Sequence, residues 1–367
     1  MEGYGKKLPD IAWDSPDYRT ITALQNNVWQ FSAAKTHTQL RDMSKALVDA
    51  DGKVRSFKEF QAEARAITGQ QLNWLGTEYQ TAIASGQMAG KWVTIQEQKE
   101  TFPLLEFDAV IDDHSSTICP PLDKVRLPVD DPFWKKYYPP NHFNCRSTVR
   151  QVRDGKITPA KDIVYPEKMG AMFENNVGIT GTIFPPGHAY YTDVPPHVIN
   201  NSTLYMPKAD QYIVKYKAAD GTELAVHRKT DIAGGPDLSN LVKAGKALAD
   251  KGYTVDILPE IHASEAELRK ALLPGVEPGK NPDMVFKKDY ADLKSPEDPV
   301  TFKKLQRNIA NGAQQADRVI VMLKEDYAEA LLKKAAQDRF AALKDIKEIG
   351  FVTRDGEYIE FTRGLNE

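Results

Sequence analysis

The stretch "KNPDMVFKKDYADLKSP", residues 280–296, gathers side chains that can act together on a phosphodiester. Asp292 and Lys294 flank Leu293, so strand alternation puts both on one face. A hairpin through Lys287–Lys288–Asp289 would bring Asp283 beside them. Two carboxylates could hold a divalent cation such as Mg²⁺, and an adjacent lysine could position or activate water. Solvated charges on an exposed hairpin are the simpler reading of the pattern alone. Gln306, Gln314 and Gln315 follow on a predicted helix, where they would face the site or be plain helix surface.

A second set lies in "DDHSSTICPPLD" (112–123) and "DDPFWKKYYPPNHFNCRS" (130–147). His114 precedes Cys119 by five residues and His142 precedes Cys145 by three. Two histidines and two cysteines on two short loops could close a tetrahedral zinc site. The alternative is that they pack in a small core. No CxxC is present, and nothing in the sequence lowers a thiol's pKa, which argues against a catalytic Cys–His pair.

The elements that must position these residues differ along the chain. Residues 18–100 are polar and proline-free. Phe57, Phe60, Ala64 and Ile67, then Leu72, Leu75 and Tyr79, recur at helical spacing, which predicts two or three amphipathic helices. Their outer faces would be solvated surface or a docking face. From 101 to 200 prolines come in pairs, and a loop-rich fold with few regular ladders is expected. It carries too many aromatics for a disordered linker.

Beyond 211 the pattern is regular. "QYIVKYKA" and "TELAVHR" read as a hairpin about Asp220–Gly221. "LSNLVKAGKALADKG" reads as a helix ending at Gly252, and "YTVDILPE", "PDMVF" and "DYADLKSP" read as strands. A helix with Pro299 near its first turn and a buried strand, "RVIVML", follow. After them come an amphipathic helix and a hairpin about Asp355–Gly356. Helix, three strands, helix, strand is the order of a compact α/β domain.

The totals fit a multidomain protein. The 367 residues predict two or three domains, with 41 % apolar and 27 % charged residues. A net charge of −3 excludes a globally basic nucleic-acid coat. Two cysteines cannot make a disulfide framework. There is no apolar signal-peptide core and no run of eighteen apolar residues, so no membrane partner is expected, and synthesis in the cytoplasm is.

Residues 108–152, "DAVIDDHSSTICPPLDKVRLPVDDPFWKKYYPPNHFNCRSTVRQV", resemble the head-morphogenesis domain of phage Mu F-like minor head proteins. The Asp113–Cys119 segment, DDPFW and the PPNH–x–NCR ending stand in the family's order, and "MFENNVGITGTIFPPGHAYY" resembles the domain's tail in some relatives. Two positions depart. Ser147 stands where the family often has a cysteine, which weakens a metal or disulfide reading, and Lys124 stands where a glycine often follows Leu–Asp. The resemblance implies a minor head component near the portal.

The hairpin matches the PD-(D/E)xK arrangement of many nucleases. Residues 222–325 also resemble the C-terminal nuclease domains of contact-dependent growth-inhibition toxins, through Gly-Tyr-x-Val-x-x-Leu-Pro-Glu, Lys-Asn-Pro-Asp, Asp-x-Lys and Gln-Gln-Ala-Asp. This resemblance implies RNA cleavage, on a tRNA-like substrate, by one of two mechanisms. In the PD-(D/E)xK type, Asp283, Asp292 and Lys294 would act with a metal, and Glu260 could add a ligand. In the barnase–EndoU–colicin–RelE type no metal is used, and His227, Lys229 and Lys294 would be the candidates. His227 is otherwise an ordinary strand residue.

The expectation is therefore an α+β multidomain protein. Residues 1–200 would be a head-morphogenesis domain, helical to about 100 and proline-rich after. Residues 201–367 would be an α/β nuclease-like toxin domain with Lys229, Gln306 and Gln315 on the substrate. Portal or capsid proteins, RNA and an immunity protein would be the partners, and the virion head the destination. A structural capsid protein whose last domain is inactive, or serves only for docking, is the alternative.

Overall fold

The computed structural model describes residues 4–5, 11–297 and 300–364, so Pro299 lies outside the described residues. The chain is α+β and divides into two units, Met1–Ser202 and Thr203–Glu367. No described helix is long and apolar enough to cross a membrane.

The first unit opens with two long helices, α1 (Pro16–Lys45) and α2 (Phe57–Gln98). Ser15 caps α1 by accepting the Tyr18 N–H, and Ser56 and Glu59 form a reciprocal capping box on α2. Only the later half of α2 is buried, where Met88, Ala89, Trp92 and Ile95 share a core with Ile21, Leu24 and Phe31 of α1. The predicted apolar face of its first half points to solvent: Phe57, Leu72, Leu75 and Tyr79 are each more than half exposed.

Strands β1 (Leu104–Asp108), β2 (Arg126–Pro128) and β3 (Thr148–Val152) pair antiparallel in the order β2-β1-β3. Buried Glu106 stands opposite Arg126 on one side and Arg150 on the other. Burial opposes its ionisation, but the two guanidiniums outweigh burial and hold the carboxyl below its usual range. The aromatic-rich segment around α3 (Phe133–Tyr137) forms part of the core itself: Trp134 and Tyr138 are fully buried. Trp134 Nε1 donates to the Pro128 carbonyl at 2.9 Å, and the Tyr138 hydroxyl to that of Met88 at 2.9 Å. Lys124 has φ +62°, a left-handed conformation that explains why glycine suits that position in the relatives it resembles. Short α4 (Val177–Thr180) and α5 (Pro196–Asn200) follow in the proline-rich tail.

The second unit is built on one sheet. Its strands are β4 (Tyr212–Lys217), β5 (Glu223–His227), β6 (Val255–Ile257), β7 (Met284–Phe286), β8 (Asp289–Lys294), β9 (Arg318–Met322), β10 (Glu348–Val352) and β11 (Tyr358–Thr362). They lie side by side in the order β11-β10-β9-β8-β7-β6-β5-β4. The chain also forms α6 (Arg228–Ala233), α7 (Gly235–Asp250), α8 (Ala266–Leu272), α9 (Phe302–Gly312) and α10 (Glu329–Ala342). The expected helix–three strands–helix–strand order is present as α7, β6, β7, β8, α9 and β9, with α8 inserted before β7. β6, β7 and β8 run antiparallel, whereas β8 and β9 run parallel.

Alternation gives the sheet two apolar faces. Ile257, Met284, Ala291, Leu293 and Ile320 pack with Ala244 and Leu248 of α7. Val319, Val321 and Ile349 pack with Leu305 and Ile309 of α9 and Leu332 of α10. Lys287 (φ +49°) and Lys288 (φ +65°) turn β7 into β8 through two left-handed residues, the geometry of a tight hairpin.

Candidate functional site

Asp283 sits one residue before β7, and its backbone is held on both sides. Its N–H donates to the Ala291 carbonyl at 3.0 Å, and its carbonyl accepts the Leu258 N–H at 2.9 Å. The side chain joins the same hairpin, with Oδ2 accepting the Leu293 N–H at 2.7 Å. Burial pushes the carboxyl upward in pKa, while the Leu293 N–H and Lys294 act the other way. Asp237 and Glu260 add negative potential that raises it further.

Asp292 lies on β8 and is 2 % exposed. Lys294 Nζ stands 2.5 Å from its Oδ2, as strand alternation predicts for i and i+2. Burial first, and the Asp283 charge second, push the Asp292 carboxyl up to about 7 despite that lysine. Gly312, the last residue of α9, leaves room here. A Cβ at 312 would meet Val319 Cγ1 at 2.6 Å and Asp292 Oδ2 at 3.2 Å.

These three residues line a cavity of about 690 Å³ together with Lys229, Asp237, Glu260, Asn281 and Gln315. Lys229, on α6, donates through Nζ to the Glu260 carbonyl at 2.5 Å, and burial lowers its pKa. Gln315 accepts the Asn281 N–H at 2.9 Å and ties the loop before β7 to the end of α9. Asp237, in the first turn of α7, was missed in the sequence because acid at a helix start is explained by the helix dipole alone.

Three residues offered for the site are not brought to the cleft: Gln314 is exposed beyond the end of α9, and His227 and Gln306 are buried away from it. His227 is fully buried and caps α6, its Nδ1 accepting the Lys229 N–H at 3.1 Å. Its ring meets Tyr212 edge-on at 5.1 Å, and burial drives its pKa down to about 4. Gln306 points into the α9–α10 interface and donates to the Ala335 carbonyl at 3.2 Å.

The Cys/His set is brought together in part. Cys119, Cys145 and His142 offer ligand atoms within 4.8 Å of one another, whereas His114 is exposed elsewhere and belongs to a turn closed by Asp112. Both cysteines are free. The sequence showed nothing to depress a thiol pKa, yet the fold lowers that of Cys145. Hydrogen bonding from Cys119 is the main cause, opposed by burial and helped by His142.

The family model for "Phage Mu protein F like protein" matches residues 35–150. That for "Contact-dependent growth inhibition CdiA C-terminal domain" matches 280–358, a span that holds Asp283, Asp292 and Lys294 but not Lys229, Asp237 or Glu260. A protein of Escherichia phage Mu described as "Putative capsid assembly protein F" is 27 % identical over 185 residues, which is 50 % of this chain and 39 % of that protein. The chain thus spans about two-fifths of that relative's length. No solved structure matches. The polypeptide joins a segment similar to the phage Mu F-like proteins to one similar to the C-terminal domain of contact-dependent growth-inhibition toxins.

Proposed function

We propose that this is a phage head protein whose second unit is a metal-dependent nuclease acting on RNA. The observation that carries the reading is the meeting of Asp283, Asp292 and Lys294 in one cleft, with Asp292 buried, Asp283 half-buried, and the Asp283 charge raising the cost of ionising Asp292. A divalent cation would relieve that repulsion, so the donor set fits one. Asp283 and Asp292 would hold it, with Glu260 and Asp237 adding negative potential. Such an ion supplies Lewis acidity and a lowered pKa for water.

The chain's own residues supply the rest. Lys294, partnered to Asp292, orients the attacking water and offsets negative charge developing on the phosphate. Lys229 and Gln315 take the neighbouring phosphate and sugar. The metal-free alternative is the weaker one, because its base would be His227, which is buried outside the cleft. The RNA preference, with tRNA as its leading form, rests on similarity to growth-inhibition toxins. On the same reading the first unit meets portal and capsid proteins in the virion head, and an immunity protein protects cells that carry the gene.

The test is inducible expression of the full chain in bacteria beside Asp283→Ala and Lys294→Ala, with growth, RNA and DNA followed. Growth arrest with fragmented RNA is expected, and each variant should lose roughly 10²-fold or more of the cleavage rate. Chelation should silence the purified protein. Intact nucleic acid in cells holding soluble wild-type chain would sink the nuclease reading; fragmented DNA beside intact RNA would sink the RNA preference alone.

A further inference from the structure

Cys119 and Cys145 lie on separate loops of the first unit, one ahead of β2 and the other leading into β3. Their sulfurs are 3.7 Å apart and both residues are buried, at 2 % and 7 % exposure. Two thiolates bound to one tetrahedral zinc at about 2.3 Å each stand about 3.8 Å apart, so the pair already has the spacing of a zinc-site edge. His142 supplies a third ligand atom within the same 4.8 Å cluster. Its Nδ1 is 2.8 Å from the Phe143 carbonyl, an outer contact that selects the tautomer leaving Nε2 its lone pair.

We propose that Cys119, Cys145 and His142 bind a zinc ion that pins the 141–147 loop to the loop carrying Cys119. The hydroxyl of Ser147, two residues beyond Cys145, or a water would complete the tetrahedron. His114 takes no part. Soft sulfur ligands with one imidazole favour zinc over the hard cations suited to the cleft of the second unit. The inference uses residues of the first unit alone, so the nuclease reading and the zinc reading stand or fall separately.

The test uses the full chain carrying Lys294→Ala, purified metal-free under reducing conditions and titrated with Co²⁺. Thiolate-to-cobalt charge-transfer absorbance reports only cysteine-bound metal. One equivalent per chain is expected, displaced by Zn²⁺. The signal should vanish in Cys145→Ser and remain in His114→Ala. In His142→Ala, affinity should weaken by about tenfold or more. Ser147→Cys adds a fourth strong ligand and should tighten binding by a similar factor, a gain that poor folding cannot mimic. A folded chain with no charge-transfer band, or a band that survives Cys145→Ser, would overturn the proposal.

Discussion

An aspartate that keeps its proton to about pH 7, even with a lysine beside it, acts on stability in the opposite sense to one whose pKa is lowered on folding. The folded pKa of Asp292 lies above the ordinary carboxylate value, because burial and Asp283 outweigh Lys294. Between about pH 4 and 7 Asp292 is therefore more protonated in the native chain than in the unfolded one, and its contribution to stability falls as pH rises through that window. Asp292→Asn removes the cost. It is expected to stabilise the second unit by about 1–3 kcal/mol at pH 8 and by little at pH 4. Hydrogen exchange of β8 amides in both proteins across that range measures the difference and cancels the other titrating groups. A gap that stays flat with pH would show that the carboxylate is ionised at ordinary cost. Added Mg²⁺ should narrow the gap if the carboxylates hold the ion.

At the scale of elements, the seat of Asp292 depends on how closely α9 approaches β9. Gly312 makes that approach possible, since a Cβ there would overlap Val319 and touch the Asp292 carboxylate. Gly312→Ala is expected to destabilise the second unit by about 1–3 kcal/mol and to lower cleavage, although the residue bears no chemistry. Thermal unfolding and a cleavage assay on the same sample check both effects; full activity at unchanged stability would show that α9 can shift freely. The α7–β6–β7–β8–α9–β9 order was legible because strand alternation, helical spacing, the Gly252 stop and the proline before α9 mark the elements. The elements α6 and α8 were not legible, being six and seven residues long, too short for a periodic signal. Periodicity identified the apolar stripe at the start of α2, but it cannot tell whether anything covers a stripe. For the same reason His227 and Gln306 were put on the right strand and helix but not in the right layer. Lys294 and Asp292 were placed correctly because two residues on one strand need only local geometry. The meeting of Cys119, His142 and Cys145 was legible from residue type and spacing, whereas the looser spacing of His114 gave no sign that it lies apart.

For the whole molecule, the useful fact is how widely the cleft is drawn from the second unit. Lys229 comes from α6, Asp237 from α7, Asp292 and Lys294 from β8, and Gln315 from beyond α9. A fragment restricted to residues 280–358 would lack β4, β5, β6 and α7, and with them one wall of the cleft and one face of the core. Residues 203–367 expressed alone should fold and retain cleavage, whereas 280–358 should be unfolded and inert. Circular dichroism and the RNA gel decide it, and activity in the shorter piece would mean that the wall formed by α6 and α7 is dispensable. The strand order carries a consequence for inheritance. The first strand, β4, and the last, β11, form the two outer edges, and every other strand is laid between them. Recombination that trades one such C-terminal unit for another is therefore clean only upstream of β4, near residue 203. A breakpoint between 229 and 294 would divide the lining of the cleft between two parents and break up the set of side chains that meet there.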